Sequence, residues 1–174
     1  MILAAGLAAL FLLGSFGQAV SAPGSPRMAC LRWTKVCADD PEWSKDGGTW
    51  VIEDYSCVGG PKLLVTNDTG ATATYVCVGK SRFKVVSATD WHMGRMDILV
   101  DGRRVATVDL RSEERRFGVE VYEGAFPRRP FPCAVHTLTF RCSGEGGPGV
   151  VEIDGETYDL TWVHFVNVQE IWVR

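Results

Sequence analysis

Short runs rich in Val, Ile, Leu, Thr and aromatic residues recur along the chain beyond residue 30, each bounded by Gly, Pro, Asn, Asp or Ser. Such runs, with alternating apolar and polar positions, read as β-strands. The clearest is residues 95–110, RMDILVDGRRVATVDL, where two apolar-rich runs flank Asp101-Gly102. That dipeptide accepts the positive φ angles of a tight hairpin turn. Period two puts Met96, Ile98, Val100 and Val105 on one face of the hairpin, and Leu99, Ala106, Val108 and Leu110 on the other. Both faces are partly apolar, so this hairpin needs cover on both sides and belongs inside a packed β domain.

Further strands are expected at 49–54, 62–66, 71–78, 82–87, 117–122, 135–142, 150–153 and 160–173, and residues 30–37 (CLRWTKVC) have strand-like composition. Residues 38–48 read as a polar turn region carrying Trp43, while 88–94, 123–132 and 143–149 read as loops. Outside the first 22 residues no stretch of ten or more shows clear 3.6-residue periodicity. About ten short strands at even spacing describe an all-β sandwich of two antiparallel sheets.

The start of the chain reads differently. Residues 2–16 are almost wholly apolar and uncharged, and Val20-Ser21-Ala22 is the small-residue pattern of a signal-peptidase site. Residues 1–22 are therefore expected to be a secretory signal peptide. The first residues carry no Lys or Arg, and the alternative is an uncleaved anchor. Residues 23–36 are expected to form an N-terminal lead, and 37–174 a single sandwich domain. After cleavage no membrane span is expected, and the destination is secreted or extracellular. A formal net charge of −3 speaks against a nucleic-acid binder. The Arg103-Arg104, Arg115-Arg116 and Arg128-Arg129 pairs read as solvated strand ends and loops.

All six cysteines, Cys30, Cys37, Cys57, Cys77, Cys133 and Cys142, follow the cleavage point. An even count in a secreted chain reads as three disulfides, with 15 possible connectivities. If 135–142 is one strand, Cys133 and Cys142 stand up to about 30 Å apart and do not pair. The same reasoning disfavours Cys30 with Cys37. Cys57 with Cys77 is the preferred bridge, closing a strand pair that turns at Asn67-Asp68-Thr69-Gly70. Cys30 and Cys37 would then staple the N-terminal segment to Cys133 and Cys142. No Cys-x-x-Cys pair occurs and the three histidines are scattered, which disfavours zinc. Asn67-Asp68-Thr69 is an N-glycosylation sequon in a predicted turn.

The succession Gly70-Ala-Thr-Ala-Thr-Tyr, Phe83-Lys-Val-Val, Met96-Asp-Ile-Leu-Val-Asp-Gly, Val105-Ala-Thr-Val-Asp-Leu and His136-Thr-Leu-Thr-Phe resembles the galactose-binding-domain-like jelly rolls. Asp39-Asp40 with Trp43, and Gly48-Thr49-Trp50, resemble that family's opening turn and first strand. The likeness runs from about residue 37 to 173. It implies a jelly-roll β-sandwich of the carbohydrate-binding-module type, a non-catalytic role, and glycans or extracellular glycoproteins as partners; the six cysteines would make this one a disulfide-stabilised version. This chain departs from the pattern at Arg128-Arg-Pro-Phe-Pro-Cys133, where such modules carry a glycine-bearing turn, and in its three cysteine pairs.

Residues 88–97 (ATDWHMGRMD) are the most site-like stretch. Trp91 offers a plate for a sugar ring, Asp90 and Asp97 are acceptors for hydroxyls, and His92 and Arg95 are donors. Asp39, Asp40 and Asp46 are a candidate carboxylate set for a structural calcium ion, though their spacing fits no EF-hand loop. No nucleophile elbow, zinc-protease helix or phosphate-cradling loop is present, so a non-catalytic, lectin-like module is expected. The alternative is a protein-interaction or structural module presenting residues 123–132 (EGAFPRRPFP), with Phe126, Phe131 and the arginine pair as interface centre.

Overall fold

The computed structural model describes residues 32–130, 133–146, 149–153 and 155–174. The expected signal peptide, Cys30, Phe131 and Pro132 lie outside the described residues. Fourteen strands run in order through the described residues: β1 (Thr34–Cys37), β2 (Ser44–Asp46), β3 (Val51–Asp54), β4 (Lys62–Thr66), β5 (Thr72–Val78), β6 (Arg82–Thr89), β7 (Arg95–Val100), β8 (Arg103–Asp109), β9 (Arg116–Ala125), β10 (Val135–Cys142), β11 (Gly149–Ile153), β12 (Glu156–Leu160), β13 (Val166–Val168) and β14 (Glu170–Val173). One 3₁₀ turn, Ser56–Val58, interrupts them.

The strands pair antiparallel into a five-stranded sheet, β2-β5-β10-β7-β8, a four-stranded sheet, β1-β14-β6-β9, a three-stranded sheet, β13-β4-β3, and the β11-β12 hairpin. Alternation decides which side faces inward. In β10, His136, Leu138, Phe140 and Cys142 are buried, while Thr137, Thr139 and Arg141 stand on the wetter face. The inward residues of β5, β7 and β10 join those of β1, β4, β6, β13 and β14 in one core that includes Ala73, Met96, Ile98, Leu138, Phe140, Phe83, Val85 and Ile171. Each large side chain fully buried here is worth about 1.5–3 kcal/mol, and the arrangement is that of a β-sandwich. Trp43 plugs one end of it, packing on Tyr75 and Phe140 and donating Nε1–H to the Cys37 carbonyl at 2.9 Å. β4 is buried on both faces, because Leu63 and Val65 form a second small cluster with Ala88, Tyr55, Phe117 and Phe165.

The central hairpin is present, and its turn has positive φ at Asp101 (51°) and Gly102 (77°), the geometry Asp-Gly favours. Its faces differ from the expectation. A register shift between Ile98 and Leu99 pairs Ile98 with Ala106 and Leu99 with Arg104. The extra residue, Val105, is pushed outward and is 44% exposed, so Ala106 and Val108 join Met96 and Ile98 against the core. A bulge of this kind reverses the facing of everything beyond it.

Three more expectations are corrected. Residues 44–46 of the supposed turn region form edge strand β2 beside β5. The run 160–173 is not one strand: β12 ends at Leu160, a turn carries Trp162 and His164, and β13 and β14 follow in different sheets. Gln169 is the switch between those two. Its N–H donates to the Val86 carbonyl, its carbonyl accepts from Ala38, and its Oε1 accepts from Gly118 N–H at 2.7 Å. Third, β4 and β5 lie in different sheets, so the strand pair that the Cys57–Cys77 bridge was to close does not form. Among the described cysteines, Cys37, Cys57 and Cys133 are exposed, and Cys77 and Cys142 buried. Cys142 sits at the far end of β10 from Cys133, as the strand reading required.

Candidate functional site

The segment after β6 is pinned before any side chain is considered. Asp90 N–H donates to the Leu110 carbonyl, the Asp90 carbonyl accepts from Met93 and Ser112, and Leu110 N–H donates to Gly94. The Asp90 carboxylate is buried and already occupied, by Trp91 N–H at 2.8 Å and Arg115 Nε at 2.5 Å, with His92 Nδ1 at 3.5 Å. Arg115 also lies over the Tyr55 ring. His92 is wedged edge-on between Trp91 and Phe165. Burial holds its pKa below the ordinary imidazole value despite the opposing pull of Asp90. It lines a 70 Å³ pocket with Glu53, Tyr55 and Phe165, too small for a sugar ring. Trp91 itself is 44% exposed.

Arg95 and Asp97 belong to a different place. They stand on the outer face of the five-stranded sheet, where Thr72, Arg141, Asp97 and Thr107 form one row across β5, β10, β7 and β8. Asp97 accepts from Thr107 Oγ1 and Arg141 Nη2, both at 2.6 Å, with Arg104 Nη1 at 3.6 Å. Burial acts to raise its pKa, but those bonds and the two guanidinium charges outweigh it and leave the carboxyl below its usual range. A cleft of 340 Å³ opens over this row, lined also by Thr69 and Glu145. Glu145 is within 3.5 Å of Arg95. The five residues expected to make one site thus divide: Asp90, Trp91 and His92 on one side, Arg95 and Asp97 on the other. Both aspartates spend their oxygens on the protein itself.

The calcium candidates do not form an oxygen cage. Asp39 pairs with Lys62, Asp40 accepts from Glu42 N–H, and Asp46 accepts from Gly47 N–H. Among the described residues no cluster of three or more His, Cys, Asp or Glu side chains is placed to hold a metal. In the sequon, Asn67 Oδ1 accepts from His164 N–H and Thr69 Oγ1 bonds His164 Nε2, each at 2.9 Å. The 123–132 loop changes meaning too. Phe126 is a core residue, packed on Phe83 and stacked on His136 at 4.9 Å, and is not available to a partner.

The surface that sequence reasoning missed lies on the outer face of the four-stranded sheet. Lys35, Trp172, Lys84 and Glu123 stand in register across β1, β14, β6 and β9. Trp33, just before β1, joins them, and a groove of 310 Å³ is lined by Trp33, Trp172, Val86, Lys84 and Glu120. Trp172 Nε1 donates to Glu170 Oε1 at 2.7 Å, and Glu170 also pairs with Lys35. Lys84 Nζ reaches Glu120 at 2.8 Å and Glu123 at 3.6 Å. Cations also lie against the indoles: Lys35 over Trp172, and Lys84 and Arg174 over Trp33, the last at 4.7 Å. The signal in the sequence was alternation itself. Trp33 and Lys35 share the face opposite buried Val36, and Trp172 alternates with buried Ile171 and Val173, so each tryptophan falls on a polar face.

No protein-family model matches the sequence, and none of the curated proteins compared matches it. The fold is similar to those of solved structures. A family two carbohydrate esterase from Cellvibrio japonicus aligns over 82% of this chain at 13% identity and a TM-score of 0.49; the match spans 33% of the esterase. The CBM36-1 domain of a multidomain xylanase from the hindgut metagenome of Trinervitermes trinervoides aligns over 82% of this chain and 97% of its own, at 12% identity and a TM-score of 0.48. A carbohydrate-binding module, CBM36, solved with calcium and xylotriose, aligns over 81% of this chain and 99% of its own, at 11% identity and 0.42.

Proposed function

We propose that the protein is a non-catalytic carbohydrate-binding module that works outside the cell, and that its sugar platform is the groove between Trp33 and Trp172. The observation that carries this reading is two half-buried indoles on one polar sheet face, flanked by Lys35, Lys84, Glu120 and Glu170. A pyranose has an apolar C–H face and a rim of hydroxyls. Aromatic plates take the first, and charged side chains at the edge exchange hydrogen bonds with the second. The groove's volume of 310 Å³ is at the small end of the ligand-pocket range, enough for one or two sugar rings. A glycosidase would need one carboxylic acid held protonated beside one ionised carboxylate. The acids here are instead tied to cations, Glu120 and Glu123 to Lys84 and Glu170 to Lys35. The extracellular setting is supported by the signal-like first 22 residues, and no helix among the described residues is long and apolar enough to cross a membrane.

The test is a glycan array followed by titration of Trp33→Ala, Trp172→Ala and Trp91→Ala variants. Loss of binding in the first two with an unchanged melting temperature is the expected result. Binding that survives both, or that vanishes only in Trp91→Ala, refutes the groove as the platform.

A further inference from the structure

Beside the tryptophan groove lies a cavity of 240 Å³ whose lining contains Lys80, Ser81, Phe126, Arg128, Arg129 and His136. Three cations line it, and no Asp or Glu side chain is among its described lining residues. Asp101, just behind it, accepts from Arg129 Nη2 and bonds His136 Nδ1, each at 2.9 Å, so one arginine is neutralised from the back. Lys80 spends one N–H on Thr34 Oγ1 at 3.1 Å, a neutral partner. Arg128 has no ion-pair partner among the described residues. Among the described residues the cavity therefore holds two cations without an ion-pair partner, over a buried, hydrogen-bonded histidine.

Its position relative to the indoles is fixed by the backbone. Thr34, which receives Lys80, is the neighbour of Trp33. Ser81, in the cavity wall, donates both N–H and Oγ–H to the main-chain oxygen of Arg174, whose guanidinium stacks on Trp33. Basic cavity and aromatic plate are thus linked through Thr34 and Arg174. An isolated basic pocket fits any small anion, and an isolated aromatic groove fits any sugar. A ligand that satisfies both carries an oxyanion close to a pyranose ring.

Building on the proposed sugar platform, we infer that the ligand is an acidic polysaccharide, one bearing sulfate or carboxylate groups, with the oxyanion seated at Lys80 and Arg128. Arginine and lysine donors match three- or two-oxygen anions, and charge-assisted bonds are the stronger kind. The chain's overall charge of −3 makes the local sign of this cavity more telling, since net charge alone does not draw polyanions to it.

The experiment uses affinity electrophoresis and calorimetry of the full chain with dextran, dextran sulfate and polygalacturonate as probes, at low and at high salt. The expected result is binding to one or both anionic polymers, weaker at high salt, with no retardation by dextran. A double variant, Lys80→Gln with Arg128→Gln, is expected to lose about tenfold in affinity for the anionic polymer while its melting temperature stays put. Trp33→Ala is expected to weaken the same complex. Binding of neutral glycans with no response to the double variant overturns the acidic ligand and leaves the sugar platform standing. Failure to bind any glycan, neutral or acidic, overturns the platform and the inference with it. Anionic polymer bound equally well by Trp33→Ala reduces the cavity to plain ion exchange and also overturns the inference. Dextran sulfate against polygalacturonate separates sulfate from carboxylate.

Discussion

Replacing Asp97 by Asn removes one charge and almost no volume from the row Thr72, Arg141, Asp97, Thr107. The Asp97 side chain is 3% exposed, so its carboxylate keeps little of its hydration and depends on Thr107 and Arg141, both at 2.6 Å. Breaking a fully buried ion pair costs about 3–5 kcal/mol. Arg141 and Arg104 are instead substantially exposed and recover water when the charge is lost, which discounts the cost to about 2 kcal/mol. For a domain of this size that is a fall in melting temperature of about 4–8 °C at pH 7. The pH dependence follows from the lowered pKa of Asp97. Folded Asp97 binds its proton less readily than the unfolded residue does, near pH 3.9. Its contribution is complete well above that value and is lost as pH falls through the still lower folded pKa. Thermal melts of the wild type and Asp97→Asn from pH 7 to pH 2.5 should show a gap that narrows below about pH 4. No gap at pH 7, or one that stays constant to pH 2.5, refutes the assignment.

Two further outcomes test the packing. Asn167 is fully buried, accepting Ala88 N–H at 2.8 Å and donating to the Ala88 carbonyl at 2.9 Å. Asn167→Ala should therefore cost about 3 kcal/mol in urea denaturation with the slope unchanged, and a loss under 1 kcal/mol contradicts this bonding. In the reduced protein Cys57 and Cys133 are exposed, whereas burial pushes the Cys77 thiol up to about 12. Mass mapping after brief iodoacetamide treatment at pH 8 should find the first two alkylated and Cys77 untouched until denaturant is added; rapid labelling of Cys77 in the folded protein would contradict the burial.

What could be read in the sequence was what depends on near neighbours. The Asp101-Gly102 turn and the strand Val135–Cys142 follow from local φ preference and strict alternation, and both stand where they were expected. Strict alternation puts Val105 on the wrong face because a bulge shifts the count without leaving a glycine or proline to mark it. The 160–173 run concealed a change of sheet at Gln169, since both sides are equally rich in valine. Trp91 stands out in the sequence because its polar neighbours are close along the chain, yet two of them, Asp90 and Asp97, are bound by distant arginines. Trp33 and Trp172 are not legible as a pair for the converse reason: β1 and β14 bring opposite ends of the described chain side by side, and no local pattern reports such a meeting.

Gln169 also bears on how the protein is made. β14, which it introduces, lies between β1 and β6, and β13, just before it, supplies an edge partner for β4. A nascent chain emerging from the ribosome therefore carries β1 without its neighbour, β4 with one side open, and the Phe83–Val86 stretch uncovered until the final strand is translated. Local hairpins such as β7-β8 can form early, but closure of the sandwich waits for residue 173, a high-contact-order requirement that slows folding. During that interval the exposed strand edges invite aggregation, so a ribosome stall or premature stop within β13 or β14 would release a chain unable to seal either sheet.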